Sequence, residues 1–528
     1  MVQRASSADE ARDRATMATT NQLGTTDRQV ESVDALIVGA GISGIGCAYY
    51  LQRDHPEKSY SILEARGASG GTWDLFKYPG IRSDSDLQTF GFAFKPWTSK
   101  QALADGPEIL SYIREAASEN RIDQKIRTHH RVLCADWSSE DARWLVTVER
   151  TDNRSRFQIS AGWLFTGTGY YRYDAGYTPE LPGIAGFAGR VVHPQQWPEN
   201  LDYAGKRVVV VGSGATAVTL IPAIAPQAAH VTMLQRSPSY IMSLPSKDPI
   251  SNLLMKLFGP ERGYELARRK NIFQQTTIYK LCQRYPERAR ALIRWLTAKQ
   301  LPEGYPVDEH FKPKYDPWDQ RLCAVPDGDL FKTIRAGQAE VVTDTIETFT
   351  EHGIKLNSGR ELEADIVITA TGLKLLAFGG IEFSVDGERV VLPERLAFKG
   401  LMLSGVPNFT YLVGYTNASW TLKVELVCEH FCRLLSYMDE HGYDTCVPEL
   451  PYPNMTTRPL LDFSAGYVQR ALDDFPRQGA YAPWRLAMSF HEDRQTLEQG
   501  PVEDRSLRFS SSTAEPVLPD ESELEAAL

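Results

Sequence analysis

Two glycine-rich strand–turn–helix signatures, and a return to apolar strand character after the second, predict an α/β protein. Its parts are two Rossmann-like dinucleotide-binding domains. "DALIVGAGISGIGCAYYL" opens the first at residue 34, and "KRVVVVGSGATAVTLIPAIA" opens the second at residue 206. "ADIVITATGL" (364–373) then leads back towards the first, so the first domain is discontinuous and the second is inserted in it. The expected division is 31–165 plus 375–500 for the first domain and 166–374 for the second, with a helical insertion at 247–318. The polar stretch 1–30 reads as a disordered tail and 501–528 as a flexible acidic tail.

Bulk properties narrow the function classes. A chain of 528 residues, 42% hydrophobic and 23% charged, suits a globular protein of two or three domains. Its net charge of -10 argues against a nucleic-acid partner. The seven Cys include no CxxC pair, so no thioredoxin-type dithiol is available, and an odd number of thiols suits a reducing cytoplasm. Cys428, His430 and Cys432 lie close together in "VELVCEHFCRLL", which reads better as an apolar helix face than as a ligand set, and no metal is expected. The apolar runs 35–51 and 208–225 approach the length of a membrane span. Glycines break both, and each opens on a β-branched strand, so no transmembrane segment is expected. No basic segment leads into an apolar one at the N-terminus, so no secretory signal is read there.

The first fingerprint begins with a strand at 35–38, and Gly39, Gly41 and Gly44 give GxGxxG at the turn into a helix. Gly39 permits the tight turn, Gly41 lets the backbone approach a pyrophosphate, and Gly44 lets helix and strand pack closely. The pyrophosphate then lies on the unpaired N–H groups of the helix N-terminus. The next strand ends in Glu64, twenty residues beyond Gly44, where a carboxylate accepts from a ribose 2′-hydroxyl. In the second fingerprint, Gly212, Gly214 and Ala217 give GxGxxA after a strand at 207–211. Its next strand ends in Gln235 and Arg236. A carboxylate there would repel a 2′-phosphate, whereas a guanidinium binds one. The direct reading is FAD at the first site and NADPH at the second.

Between the second fingerprint and the returning strand, "PERARALIRWLTAKQLP" has helical periodicity. Ala289, Leu292, Ile293 and Leu296 share one face, while Arg288, Arg290 and Arg294 point elsewhere. A basic amphipathic helix of this kind is commonly a solvated face; weak peripheral contact with a membrane is the alternative.

The linker before the second fingerprint, "FAGRVVHPQQWP", places Phe187, Gly189, His193, Trp197 and Pro198 in the pattern FxGxxxHxxxWP. "GGTWDLFKYPGIRSD" (70–84) adds GGxWxxxxYPGxxxD. Over residues 33 to about 500 the chain resembles the type I Baeyer–Villiger monooxygenases, class B flavoproteins. "PWDQRLCAVPDGDLF" and "GYTNASWTLKVEL" look most like the ethionamide-type branch, which activates thioamide prodrugs.

That resemblance implies an NADPH- and O2-dependent enzyme converting ketones to esters or lactones through a peroxide at flavin C4a. Sulfides or thioamides are further substrates, and N- or S-oxygenation with little ketone activity is the alternative. It implies that His193 belongs to a hinge between the domains. It also points to Arg321 as the cation beside the peroxide and to Asp84 as the carboxylate that holds this Arg. Gln320 stands where other members often have Lys. A carboxylate at Asp84 is otherwise an ordinary helix cap. Trp73 is expected to stack near the flavin, and Asn417 or Ser419 to cap a helix whose N-terminus faces the flavin pyrimidine.

Overall fold

A computed structural model describes residues 30–320, 322–451 and 455–512. From the N-terminus the chain forms strand β1 (Glu31–Val38), helix α1 (Ile42–Asp54) and strand β2 (Tyr60–Leu63). Strands β3 (Ile126–Arg127), β4 (His130–Ser138), β5 (Arg143–Arg150) and β6 (Arg156–Thr166) follow. The second unit brings β7 (Arg190–Val192), β8 (Arg207–Val211), helix α2 (Ala215–Ile224) and β9 (His230–Gln235). Three helices come next: α3 (Pro249–Phe258), α4 (Pro260–Arg284) and α5 (Pro286–Ala298). Strands β10 (Ala339–Thr343) and β11 (Ile366–Thr369) precede β12 (Glu382–Val385), β13 (Glu388–Arg389) and β14 (Phe409–Tyr411), and helix α6 (Trp420–His441) follows.

Two sheets carry the architecture. The larger runs β13-β12-β4-β5-β6-β1-β2-β3, with β14 also paired to β6, so it takes strands from both ends of the chain. Its dinucleotide core is parallel: β1 lies between β2 and β6 with Ala35 opposite Tyr60 and Trp163. The smaller sheet runs β10-β9-β8-β11-β7, all parallel, with β8 at its centre. Buried on both faces, such strands read as the unbroken apolar runs "RVVVV" and "IVIT". The fold is therefore α/β with a discontinuous first Rossmann-like domain and a second one inserted in it.

Several details depart from the sequence reading. β1 starts at Glu31 rather than 35, because Glu31 to Val33 continue the ladder with β6. The segment expected to be a flexible tail from 501 contains a strand, Leu507–Ser510, antiparallel to Thr445–Pro448. Val502 and Leu507 bury themselves in the core beside α6, and that fixes it. The shared apolar face of α5 is mostly uncovered: Ile293 is buried, but Leu292 and Leu296 are exposed. Arg290 and Arg294 pair with Asp316 and Asp308. The helical insertion is anchored by the first half of α4. There Arg268 is buried, donating to the Gln88 carbonyl at 3.1 Å and pairing with Glu425 at 2.5 Å.

Candidate functional site

A cleft of about 410 Å3 opens at the carboxyl ends of β1, β2 and β6. Open α/β sheets bind ligands at this edge. Gly39 and Gly44 are required by packing alone. Gly39 has φ +102°, and a Cβ there would lie 2.7 Å from the Gly167 carbonyl oxygen. A Cβ on Gly44 would lie 1.9 Å from the Gly39 oxygen. Gly41 is different: a Cβ there would meet only the Gly71 backbone, at an ordinary 3.5 Å. The protein itself has room for a side chain at Gly41, yet Gly41 lines the cleft and caps α1 without a side-chain acceptor. The space over Gly41 and the N–H groups of the helix N-terminus form a cradle that a pyrophosphate fits.

Glu64 lies beside this cradle. Its two carboxylate oxygens accept from Ala40 N (3.0 Å) and Arg66 N (2.9 Å), and burial lifts its pKa above the usual carboxylate range. Each oxygen keeps a second lone pair for a ribose hydroxyl. The cleft then passes Trp73, which packs edge-on to Phe90, and reaches Asp84, Tyr415 and Trp420. The cap that Asp84 was an alternative candidate for is made by Asp86, which accepts from Thr89 N at 3.0 Å. Arg321, the expected cation, lies outside the described residues. Its neighbour Leu322 leads into a strand, Cys323–Pro326, parallel to Ile241–Leu244.

The expected helix cap is not made. Ser419 is the first residue before α6, but its hydroxyl pairs with that of Thr89 at 2.6 Å. Asn417 donates instead to the Met488 carbonyl at 3.1 Å and is not among the cleft-lining residues. The uncapped N-terminus of α6 still faces the cleft through Ala418 and Trp420, whose indole donates to Ser43 at 2.9 Å.

Sequence reasoning missed several lining residues. Tyr415 is buried and donates to Asp493 at 2.7 Å, and Lys423 pairs with the same carboxylate at 2.8 Å. Burial with that carboxylate beside it raises the Tyr415 pKa far above the usual phenol value, so it stays a neutral donor. Arg66 is fixed by Asp74 at 2.5 Å. Neither set could be found from spacing, because the partners are separated by many residues or belong to no recognised motif. The second family motif has a packing role that was also not foreseen. Phe76 and Tyr78 are buried in the core of the second unit. Gly80, at φ +77°, lets the turn lie on α2, since a Cβ there would be 2.8 Å from the Thr219 carbonyl oxygen.

At the second fingerprint, Gly212 has φ +139° and a Cβ would lie 2.3 Å from the Ala370 oxygen. Gly214, which caps α2, has nothing within 4 Å, and Ala217 is fully buried. Gln235, at the end of β9 beside Arg236, is buried and donates to the His310 carbonyl and Thr343 hydroxyl, both at 2.8 Å. Its amide is committed to holding β9, so only the exposed Arg236 remains to meet a phosphate.

The linker joins the two chain crossings. The outgoing segment pairs with the returning one through Arg172 N to Lys374 O (2.9 Å) and Leu376 N to Tyr170 O (2.9 Å). His193 Nε2 lies 3.2 Å from the Gly372 carbonyl, and its Nδ1 accepts from Gln195 N at 3.1 Å. Burial lowers its pKa below the ordinary imidazole value. Gln195 donates to the Arg172 and Tyr173 carbonyls at 2.8 and 3.1 Å. Phe187 packs edge-on to Phe349, and Gly189 leaves room for the Phe187 ring and the Asp365 carbonyl. Trp197 packs against Tyr203, and the Pro198 carbonyl accepts from Leu201 N.

Residues 36–252 match the family of pyridine nucleotide-disulphide oxidoreductases. An FAD-containing monooxygenase EthA of Mycobacterium tuberculosis is 53% identical over 92% of this chain and 99% of its own. The EthA of Mycolicibacterium smegmatis is 54% identical over 92% and 98%. Among solved structures, an oxidized steroid monooxygenase bound to NADP superimposes with a TM-score of 0.73 at 22% identity, covering 91% of this chain and all of that one. By that identity along almost its whole length, the chain belongs to the FAD-containing monooxygenases, in the type I Baeyer–Villiger class and its ethionamide-type branch.

Proposed function

We propose that this flavin monooxygenase binds FAD in the cleft and NADPH at the second fingerprint. It uses O2 to insert oxygen beside the carbonyl of ketones, giving esters or lactones, and also oxygenates sulfides or thioamides. The observation that carries this reading is the cleft itself. It runs from the Gly41 cradle and Glu64 to Trp73, Asp84 and Tyr415, and the second fingerprint is followed by an exposed Arg236. When bound, NADPH supplies hydride and FAD the activated oxygen.

The chain's own residues then have distinct tasks. The N-terminus of α1 holds the pyrophosphate, and Glu64 accepts from the ribose. Arg236 selects the 2′-phosphate of NADPH. Arg321 provides a fixed positive charge where an oxyanion develops on the former carbonyl oxygen, and Asp84 positions that Arg. Tyr415 is held neutral at the cleft wall, its one O–H donated to Asp493. Tyr170 and Trp420, with ring centres 5.3 Å apart, form an aromatic wall that keeps water out. His193 and Gln195 clip the two crossings together and transmit rotation between the domains. Seven free thiols suit work in the cytoplasm.

The test is to add NADPH to the FAD-loaded enzyme without oxygen, then admit air and analyse products from cyclic, linear and aromatic ketones, thioethers and thioamides. Bleaching followed by ester or lactone is the expected result. Sulfoxides without any ester would replace the ketone reaction with heteroatom oxygenation.

A further inference from the structure

The helical insertion leaves its apolar surface unused. Eleven of the sixteen exposed large apolar side chains among the described residues fall between Ile250 and Leu296. They follow helical spacing. On α3, Ile250, Leu253 and Leu257 share a face, and Leu257 is 65% exposed. Phe273 on α4 is 73% exposed, and on α5 Leu292, Trp295 and Leu296 are 56%, 50% and 41% exposed. The opposite sides do the packing: Tyr264, Ala267 and Arg268 of α4 are buried, as are Ile293 and Thr297 of α5. Each helix thus carries one apolar stripe more than the fold covers.

Charge follows the same stripes. Residues 247–299 hold twelve Lys or Arg and four Asp or Glu, a net charge of +8 in a chain whose total is -10. Exposed Lys256, Arg262, Lys280, Arg284, Arg288 and Lys299 form no ion pair among the described residues. Of the acids, Glu261 and Glu287 occupy first helical turns, where they serve the helix dipole, and Glu265 pairs with Arg269. Basic side chains lie over the apolar rings: Arg262 over Phe258, Arg284 and Arg288 over Tyr285, and Lys299 over Trp295 at 3.7 Å.

We propose that the outward faces of α3, α4 and α5 dock this enzyme on the surface of an anionic lipid bilayer, with Leu257, Phe273 and Trp295 entering the headgroup–acyl boundary and the flanking Lys and Arg meeting lipid phosphates. Interleaved apolar and basic side chains match that boundary, where both kinds of contact are available together. Nucleic acid offers no partner for the Leu, Ile and Phe side chains. A second copy joined about a two-fold axis would set the unpaired Lys256, Arg262, Lys280, Arg284, Arg288 and Lys299 of two basic faces against each other. The acidic remainder of the chain is repelled by the same surface, which orients the molecule with these helices inward.

The test is co-sedimentation of the full FAD-loaded chain with vesicles of phosphatidylcholine, with and without phosphatidylglycerol. Binding is expected only to the anionic vesicles, with release as salt rises from about 50 to 500 mM. Arg284→Gln with Arg288→Gln is expected to weaken binding about thirtyfold, about fivefold for each charge removed. Leu257→Ser with Phe273→Ser and Trp295→Ser is expected to abolish it. Flavin content and melting temperature should be nearly unchanged in both, because each of the apolar side chains is at least half exposed and both Arg are exposed. Failure of the full chain to bind anionic vesicles at low salt overturns the proposal. So does equal binding by the apolar triple variant, binding only after removal of the acidic residues 513–528, or self-association through this face without vesicle binding.

Discussion

Gly41→Val separates the cofactor from the fold. The backbone at Gly41 has φ −86° and ψ −169°, which a Val adopts without strain. Its Cβ would stand 3.5 Å from the Gly71 Cα, an ordinary contact. Loss of the favourable Gly at this cap position costs the apoprotein at most about 1 kcal/mol. The isopropyl group, however, fills the volume over the first N–H groups of α1. Each hydrogen bond from such a donor to a charged group is worth about 1.5–3 kcal/mol, so losing even one weakens FAD roughly ten- to a hundredfold. Gly44→Val is the control, because a Cβ 1.9 Å from the Gly39 oxygen must disrupt the turn itself. Flavin titration of the refilled apoprotein by fluorescence, beside thermal unfolding of both apoproteins, is the assay. The expected result is a folded, colourless Gly41→Val protein and a poorly folded Gly44→Val protein. A Gly41→Val protein with parental flavin affinity would refute the assignment of this cradle to the pyrophosphate.

Arg236→Ala should raise the KM for NADPH by about ten- to a hundredfold, the worth of one charge-assisted pair, while leaving NADH unchanged; steady-state kinetics with both coenzymes decides it. Arg321→Ala should keep flavin and its reduction by NADPH but lower ester formation at least a hundredfold, about 3 kcal/mol, and Asp84→Ala should show a milder loss; near-normal product from Arg321→Ala would place the cation elsewhere. His193 is a neutral acceptor when folded and its pKa lies below the ordinary 6.5, so its contribution is fully present above pH 6.5 and lost as pH falls through the lowered value. The melting-temperature gap between the parent and His193→Ala should therefore narrow on acidification, and a gap independent of pH would remove the imidazole from the clip. Gly176→Ala should disturb the same clip, since a Cβ there would lie 1.9 Å from the His193 ring; slowed oxygenation with full flavin content is the expected outcome.

The parts that were legible in the sequence are those written in consecutive residues. Gly39, Gly41, Gly44 and Glu64 fall within one strand–helix–strand unit, and the chain geometry of that unit fixes their mutual placement. The same holds for Gly212, Gly214, Ala217 and Arg236. The apolar runs of β1, β6, β8 and β11 gave the α/β class and the discontinuous first domain, because a parallel sheet covered on both faces requires such runs. The helical character of the insertion followed from its 3.6-residue period.

What only the tertiary structure decided are contacts between residues far apart in the chain. Gln235 is adjacent to Arg236 in the chain, but its side-chain nitrogen is committed to His310 and Thr343. Asn417 looked like a cap and reaches the Met488 carbonyl. The chain from 501 looked like a tail, yet Leu507 finds a strand partner at Pro448. Tyr415 is placed by Asp493, and His193 by Gly372, at separations for which no local periodicity exists. An amphipathic helix declares in its sequence that it has an apolar face, but whether that face meets a core, as at Ile293, or water, as at Leu292 and Leu296, depends on which neighbours the rest of the chain supplies.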